Sequence, residues 1–142
     1  MQNLYYCIRT IIQIAIGGDR LDWTFVGGLP IWSQLCDKIK RAIVLGEYKP
    51  NERIPGVREL AAEAQVNPNT MQRALAKLEE EGMLVTHGTG GRFVSADVER
   101  LCRIRKTMLG EAAREYLQKC AEFGITSKEA ITIIEEEGDS VG

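Results

Sequence analysis

At 142 residues, with 44% hydrophobic and 27% charged side chains, the chain is long enough for one small domain with an appendage and apolar enough for a true core. A formal net charge of −2 gives no compositional sign of a polyanion-binding protein, and a single histidine, His87, leaves too few partners for a zinc centre or a Ser/His/Asp triad. The four cysteines, Cys7, Cys36, Cys102 and Cys120, form no CxxC pair and read as thiols of a reducing compartment.

The charge is uneven. Residues 30–94 hold 9 Lys and Arg against 8 Asp and Glu, net +1, whereas residues 95–142 hold 7 against 10, net −3. The middle of the chain is therefore the least unfavourable place for a polyanion, although local clusters matter more than totals.

Residues 4–16, LYYCIRTIIQIAI, are the most apolar stretch. They fall short of the ~20 residues a membrane span needs and lack the basic start and small-residue cleavage site of a secretory signal. Residues 1–20 are read as a leader, with three readings open: a core strand or helix, a membrane-surface anchor, or a segment outside the working protein.

Pro30 opens a helix with Ile31, Leu35, Ile39, Ala42 and Ile43 on one face, and Gly46 stops it. KPNERIPG is a connector, punctuated by Pro50, Asn51, Pro55 and Gly56. VRELAAEAQ is a short helix capped at Gly56, with Val57, Leu60, Ala61 and Ala64 facing inward. After a tight connection at residues 65–67, a second helix begins with Asn67 as N-cap, Pro68 at its first position and a Val66–Met71 staple. Met71, Ala74, Leu75 and Leu78 form its buried stripe, which leaves Asn69, Gln72, Arg73 and Ala76 outward. Short helix, turn and capped second helix make a helix-turn-helix pattern.

MLVT and GRFV read as two short strands, joined by HGTGG, whose glycines permit positive φ at a hairpin tip. That addition makes the winged variant. The glycine run lacks a GxxxxGK[ST] arrangement and enters no helix, which argues against nucleotide binding. From Asp97 to about Phe123 runs a long helix with an apolar stripe that includes Leu109, Ala112, Ala113, Tyr116, Cys120 and Phe123, and Gly124 ends it. Thr126 and Glu129 form a capping box for a last helix, and EEEGDSVG is expected to fray. The fold class is mainly α with a small β-hairpin, organised as a leader (1–20), a winged helix-turn-helix (21–95) and a two-helix C-terminal segment (96–142). That segment buries its stripe either on a second copy or on its own winged unit.

The motifs VREL, VNPNTMQRAL, LEEEGML and the glycine-rich wing closing on FV give residues 30–94 a close resemblance to the DNA-binding domain of the GntR family of bacterial transcription regulators. The two C-terminal helices, too short for the effector modules of larger subfamilies, are similar to the dimerisation segment of the YtrA-type subfamily. Relatives start near a stretch similar to LDWTFVGGLPIW, so the resemblance also implies that residues 1–20 arise by translation upstream of an alternative start at Leu21.

The resemblance implies a sequence-specific regulator, a homodimer through residues 97–137 that represses a neighbouring operon, one encoding an ABC transporter being a frequent case. Its partner is a palindromic double-stranded operator, in the bacterial cytoplasm on the nucleoid, with no membrane. A small-molecule inducer is expected of the family, although the tail offers no convergent polar pocket for one. Helix 68–81 enters the major groove and wing 87–91 the minor groove. Asn69, Gln72 and Arg73 are the base-edge candidates, since Asn and Gln pair bidentately with adenine and Arg with guanine. Thr70 and the open N–H groups around Asn67 suit phosphate. Arg58 matches an arginine of the preceding helix that contacts DNA in relatives, and His87 and Gly88 match the minor-groove wing.

A solvated polar face is the plain alternative for the helix residues, and a locally hydrogen-bonded strand end for His87. Two positions depart from the family pattern: Thr89 stands where many relatives carry a basic wing tip, and Gly56 replaces a common serine. Lys38, Lys40, Arg41, Lys49 and Arg53 remain open as sources of backbone charge. No cofactor, metal or catalytic residue is assigned. The competing readings are a winged-helix protein-interaction module and a membrane-tethered protein.

Overall fold

The computed structural model describes residues 21–141, so the leader, with Cys7 and the apolar 4–16 stretch, lies outside the described residues. The chain divides into two compact units between Ile104 and Arg105. In chain order the elements are α1 (Ile31–Val44), α2 (Val57–Ala64), α3 (Pro68–Glu80), β1 (Leu84–Thr86), β2 (Arg92–Val94), α4 (Val98–Glu122) and α5 (Ser127–Val141). This is the mainly helical winged helix-turn-helix that the sequence predicts, with a two-stranded antiparallel hairpin.

In the first unit, α1, α2 and α3 close on a core of Leu35, Ile39, Ile43, Leu60, Met71, Leu75 and Leu78, each at most 1% exposed. Burying each such side chain contributes about 1.5–3 kcal/mol. The predicted stripe of α3 is buried at all four positions, Met71, Ala74, Leu75 and Leu78. Ile31, expected on the apolar face of α1, lies at its first turn and is 37% exposed. Gln34 ties the incoming segment to α1: its amide oxygen accepts from Val26 N–H at 2.9 Å, and its amide nitrogen donates to the carbonyls of Val26 and Leu29. Gln65 closes α2 in the left-handed conformation (φ 55°), which makes the tight turn into α3.

The hairpin pairs Leu84 with Val94, Val85 with Phe93 and Thr86 with Arg92. The KPNERIPG connector does more than link helices. Val94 N–H donates to Glu52 O at 2.8 Å, Ile54 N–H to Arg92 O at 3.0 Å, and Asn51 N–H to Val94 O at 3.0 Å. Arg53 forms a bridge with Phe93, so the connector covers the edge of β2 that β1 leaves open. Sequence reading missed this pairing because prolines and glycine hide a segment of strand length. Its physical reason is that β2 backbone groups need partners on both sides.

The second unit comprises the rest of α4 and α5. Gly124 (φ 74°) ends α4, and the predicted capping box forms: Thr126 N–H donates to Glu129 Oε2 at 2.9 Å and Glu129 N–H to Thr126 Oγ1 at 3.3 Å. Tyr116 donates its hydroxyl to Ala130 O at 2.9 Å, fastening the two helices. The expected fraying of EEEGDSVG is corrected: α5 continues through Gly138 to Val141. A glycine within a helix costs only about 1 kcal/mol relative to alanine, and no proline interrupts this segment.

Candidate nucleic-acid interface

Helix α3 presents its N-terminal half through a built cap. Asn67, in extended conformation, accepts the Asn69 N–H on Oδ1 at 2.8 Å, with Pro68 following at the first helical position. The Asn67 carbonyl oxygen of the side chain is thus turned onto its own helix. Asn69, Gln72, Arg73 and Ala76 are exposed, and Thr70 is half-buried. The first-turn N–H groups and the positive end of the helix dipole lie at this same end. Arg58, the second residue of α2, is exposed.

Two of the base-edge candidates are braced, and the sequence did not announce either brace. The Arg73 guanidinium stacks over the Trp32 ring of α1, 4.2 Å from its centroid. Gln72 accepts on Oε1 from Arg92 Nη2 of β2 at 3.2 Å. Arg92 is itself anchored, because its Nε pairs with Glu79 Oε1, and the other oxygen of Glu79 accepts from Thr86 Oγ1 at 3.0 Å. Thr86 and Arg92 are cross-strand neighbours, so one carboxylate of α3 grips both strands at the root of the wing. A seven-residue separation, two helical turns, is the signal that puts Gln72 and Glu79 on one face of α3. Nothing in the sequence pairs that face with Arg92.

The wing tip is a tight turn in which Gly90 N–H donates to His87 O at 2.8 Å and His87 N–H to Gly91 O at 3.2 Å. Gly88 (φ 52°) and Gly91 (φ 95°) adopt positive-φ backbone that glycine takes without a side-chain penalty, and a Cβ on Gly91 would meet Arg53 Nε at 3.0 Å. Arg53 donates from Nε to Gly90 O at 2.8 Å, which spends it on holding the tip. The exposed His87 ring meets Phe93 edge-on, centroids 5.0 Å apart.

The three glutamates at the end of α3 look in sequence like an acidic tail, but each has a positive partner. Glu79 holds Arg92, Glu80 meets Lys77 at 3.3 Å, and Glu81 meets Lys40 at 2.9 Å. Lys40, left open as a backbone contact, is therefore committed to α3 at 18% side-chain exposure. Lys38 lies 5.7 Å from the Phe25 ring. Behind the helix, the buried Cys36 thiol donates to Ala74 O at 3.4 Å. Burial, and secondarily the Glu81 carboxylate, push its pKa up to about 11.

Residues 32–94, which carry this capped helix and the hairpin wing, match the family model described as bacterial regulatory proteins, gntR family. The chain is 30% identical over 111 residues to the HTH-type transcriptional regulator YhcF of Bacillus subtilis, covering 78% of this chain and 92% of that one. The chain belongs to the GntR family. It is also 33% identical over 89 residues to the HTH-type transcriptional repressor YtrA of the same organism, covering 62% of this chain and 68% of the repressor. A GntR family transcriptional regulator from Listeria monocytogenes superposes with a TM-score of 0.74 at 28% identity, covering 79% of this chain and 98% of that one. As a GntR protein the chain is a DNA-binding transcriptional regulator and not an enzyme. Among the described residues, no helix is long and apolar enough to cross a membrane.

Proposed function

We propose that this GntR regulator is a homodimeric repressor that reads a palindromic operator with α3 in the major groove and the 87–91 wing in the minor groove. The observation that carries the reading is the capped, outward-facing start of α3, with Asn69, Gln72 and Arg73 exposed above a fully buried stripe. Asn69, Gln72 and Arg73 read base edges. Thr70, the N–H groups near Asn67 and Arg58 hold phosphates, and His87 and Gly88 enter the minor groove.

Dimerisation through residues 97–137 is supported by large apolar side chains left open in the second unit: Leu109 (62% exposed), Phe123 (76%), Ile131 (56%) and Ile134 (53%). Repression is supported by the YtrA relative of Bacillus subtilis, a transcriptional repressor. The regulated unit is a neighbouring operon, with an ABC transporter as the first candidate and a small-molecule inducer as the release signal. The protein acts on the nucleoid, in the cytoplasm. The test is fluorescence anisotropy with the double variant R58A/R73A at moderate salt. Loss of operator binding with an intact dimer is the expected result, and specific binding that survives both substitutions overturns this docking.

A further inference from the structure

The wing tip, HGTGG at residues 87–91, carries three glycines and no lysine or arginine. It therefore brings no fixed charge to a phosphate, and glycine loses more conformational freedom on ordering than any other residue. A neutral, glycine-rich loop adds most to binding when it is already ordered before the partner arrives. Arg53 supplies that order from the connector. Its Nε donates to Gly90 O at 2.8 Å, and its guanidinium lies so close to Gly91 that a Cβ there would meet Nε at 3.0 Å and Nη2 at 3.2 Å. The brace starts from a fixed point: Arg53 bridges Phe93 of β2, with Ile54 N–H bonded to Arg92 O and Val94 N–H to Glu52 O on either side. Phe93 in turn meets the His87 ring edge-on. Glu79 of α3 holds the root of the same hairpin through Thr86 and Arg92.

We infer that Arg53 is a positioning residue for the wing: it holds the 87–91 turn in one shape, so that His87 and Gly88 meet the operator without first having to be ordered. Arg53 acts through its Nε donor and not through its charge. The inference rests on the proposed docking of the wing in the minor groove.

The experiment measures binding of the full chain to a labelled duplex, selected by the same protein from a randomised pool, over about 50–200 mM salt. R53M removes both donor and charge, whereas R53Q removes the charge and keeps an N–H donor at the same number of bonds from the backbone. Each variant is first checked for cooperative thermal unfolding. R53M is expected to bind about 5-fold more weakly with an unchanged salt slope, and R53Q to stay within about 2-fold of wild type. H87A measures what the wing contributes, and R53M should add little to the loss in an H87A background. An R53Q loss equal to that of R53M, with a salt slope shallower by about one, would make Arg53 a phosphate contact and overturn the inference. R53M binding at wild-type affinity would overturn it too, as would a full R53M loss in the H87A background. H87A binding as tightly as wild type is a different failure: it removes the His87 contact, and with it the docking on which the inference rests. If R53M does not fold, the affinity and salt slope of R53Q still decide between donor and charge.

Discussion

Arg73 shows how much a side chain's role depends on what lies beneath it. Its guanidinium sits 4.2 Å from the Trp32 ring centroid, an arrangement worth about 0.5–2 kcal/mol depending on desolvation. The planar fork is thereby held ready, and in the proposed docking less rotamer freedom is lost when it meets a base. Arg73→Lys keeps the charge but loses both the fork and the stack, so operator affinity should fall about 10- to 100-fold, as expected for one bidentate contact. Trp32→Leu, which keeps Arg73 and removes only the platform, should cost less, roughly 2- to 5-fold for the ~0.5–1 kcal/mol of an exposed cation–π contact. Titration of each variant against a labelled operator measures both; equal affinities for wild type and Arg73→Lys would remove the fork from the interface.

Cys36 gives a pH prediction at the same scale. Its thiol pKa in the folded chain is pushed up to about 11 from an ordinary value of 9.0, first by burial and then by Glu81. A raised thiol pKa means that the folded form keeps its proton where the unfolded form has lost it. The contribution is therefore present in full below pH 9 and fades as pH rises from 9 toward 11. Urea midpoints measured at pH 8, 9.5 and 10.5 should decline for the wild type and decline less steeply for Cys36→Ala. The position of Cys36 on α1 was legible in its sequence pattern. Its hydrogen bond to Ala74 O was not, because that contact joins residues 38 apart in the chain.

Secondary-structure elements were largely legible because their start and stop signals are local. Asn67-Pro68 starts α3, Thr126 and Glu129 start α5, and Gly46 and Gly124 close the helices before them. Asn67→Ala should lower stability by about 1 kcal/mol and Asn67→Asp by much less, since the carboxylate keeps an acceptor for the Asn69 N–H. Chemical denaturation of the two variants checks this, and equal losses would mean that the cap bond contributes little. The elements that sequence reading misjudged lack such local signals. The connector at residues 52–54 owes its pairing to β2, a partner about forty residues away. The end of α5 carries glycine and acidic residues but none that forbids helix, and it stays helical to Val141. At the site, exposure and spacing revealed Asn69, Gln72 and Arg73 as outward-facing, while their braces, Arg92 and Trp32, come from other elements and leave no trace in the periodicity of α3.

For the molecule as a whole, sparse net charge sets the balance between affinity and specificity. Arg92, Arg53 and Lys40 are committed to internal contacts, so fewer cations remain for phosphates than the composition suggests. Weak sequence-independent binding is the expected outcome, and the proposed second copy is the means of reaching useful affinity. In the proposed dimer, the exposed apolar side chains of the second unit are the surface for that copy. Placing a charge on it, as in Leu109→Glu or Ile134→Glu, should shift the chain from dimer to monomer in sedimentation velocity and weaken operator binding at least 10-fold, with unchanged helix content. A dimer that persists in both variants would place the contact elsewhere.

The most direct test of the central claim is footprinting of the purified chain on its own chromosomal DNA at about 150 mM salt, the ionic strength at which surface charge is strongly screened. A dimeric operator-binding regulator should give a small number of protected sites, each an inverted repeat with half-sites about one helical turn apart, at or near a promoter. Protection spread evenly over the DNA and lost as salt rises, or no protection at any site, would contradict it.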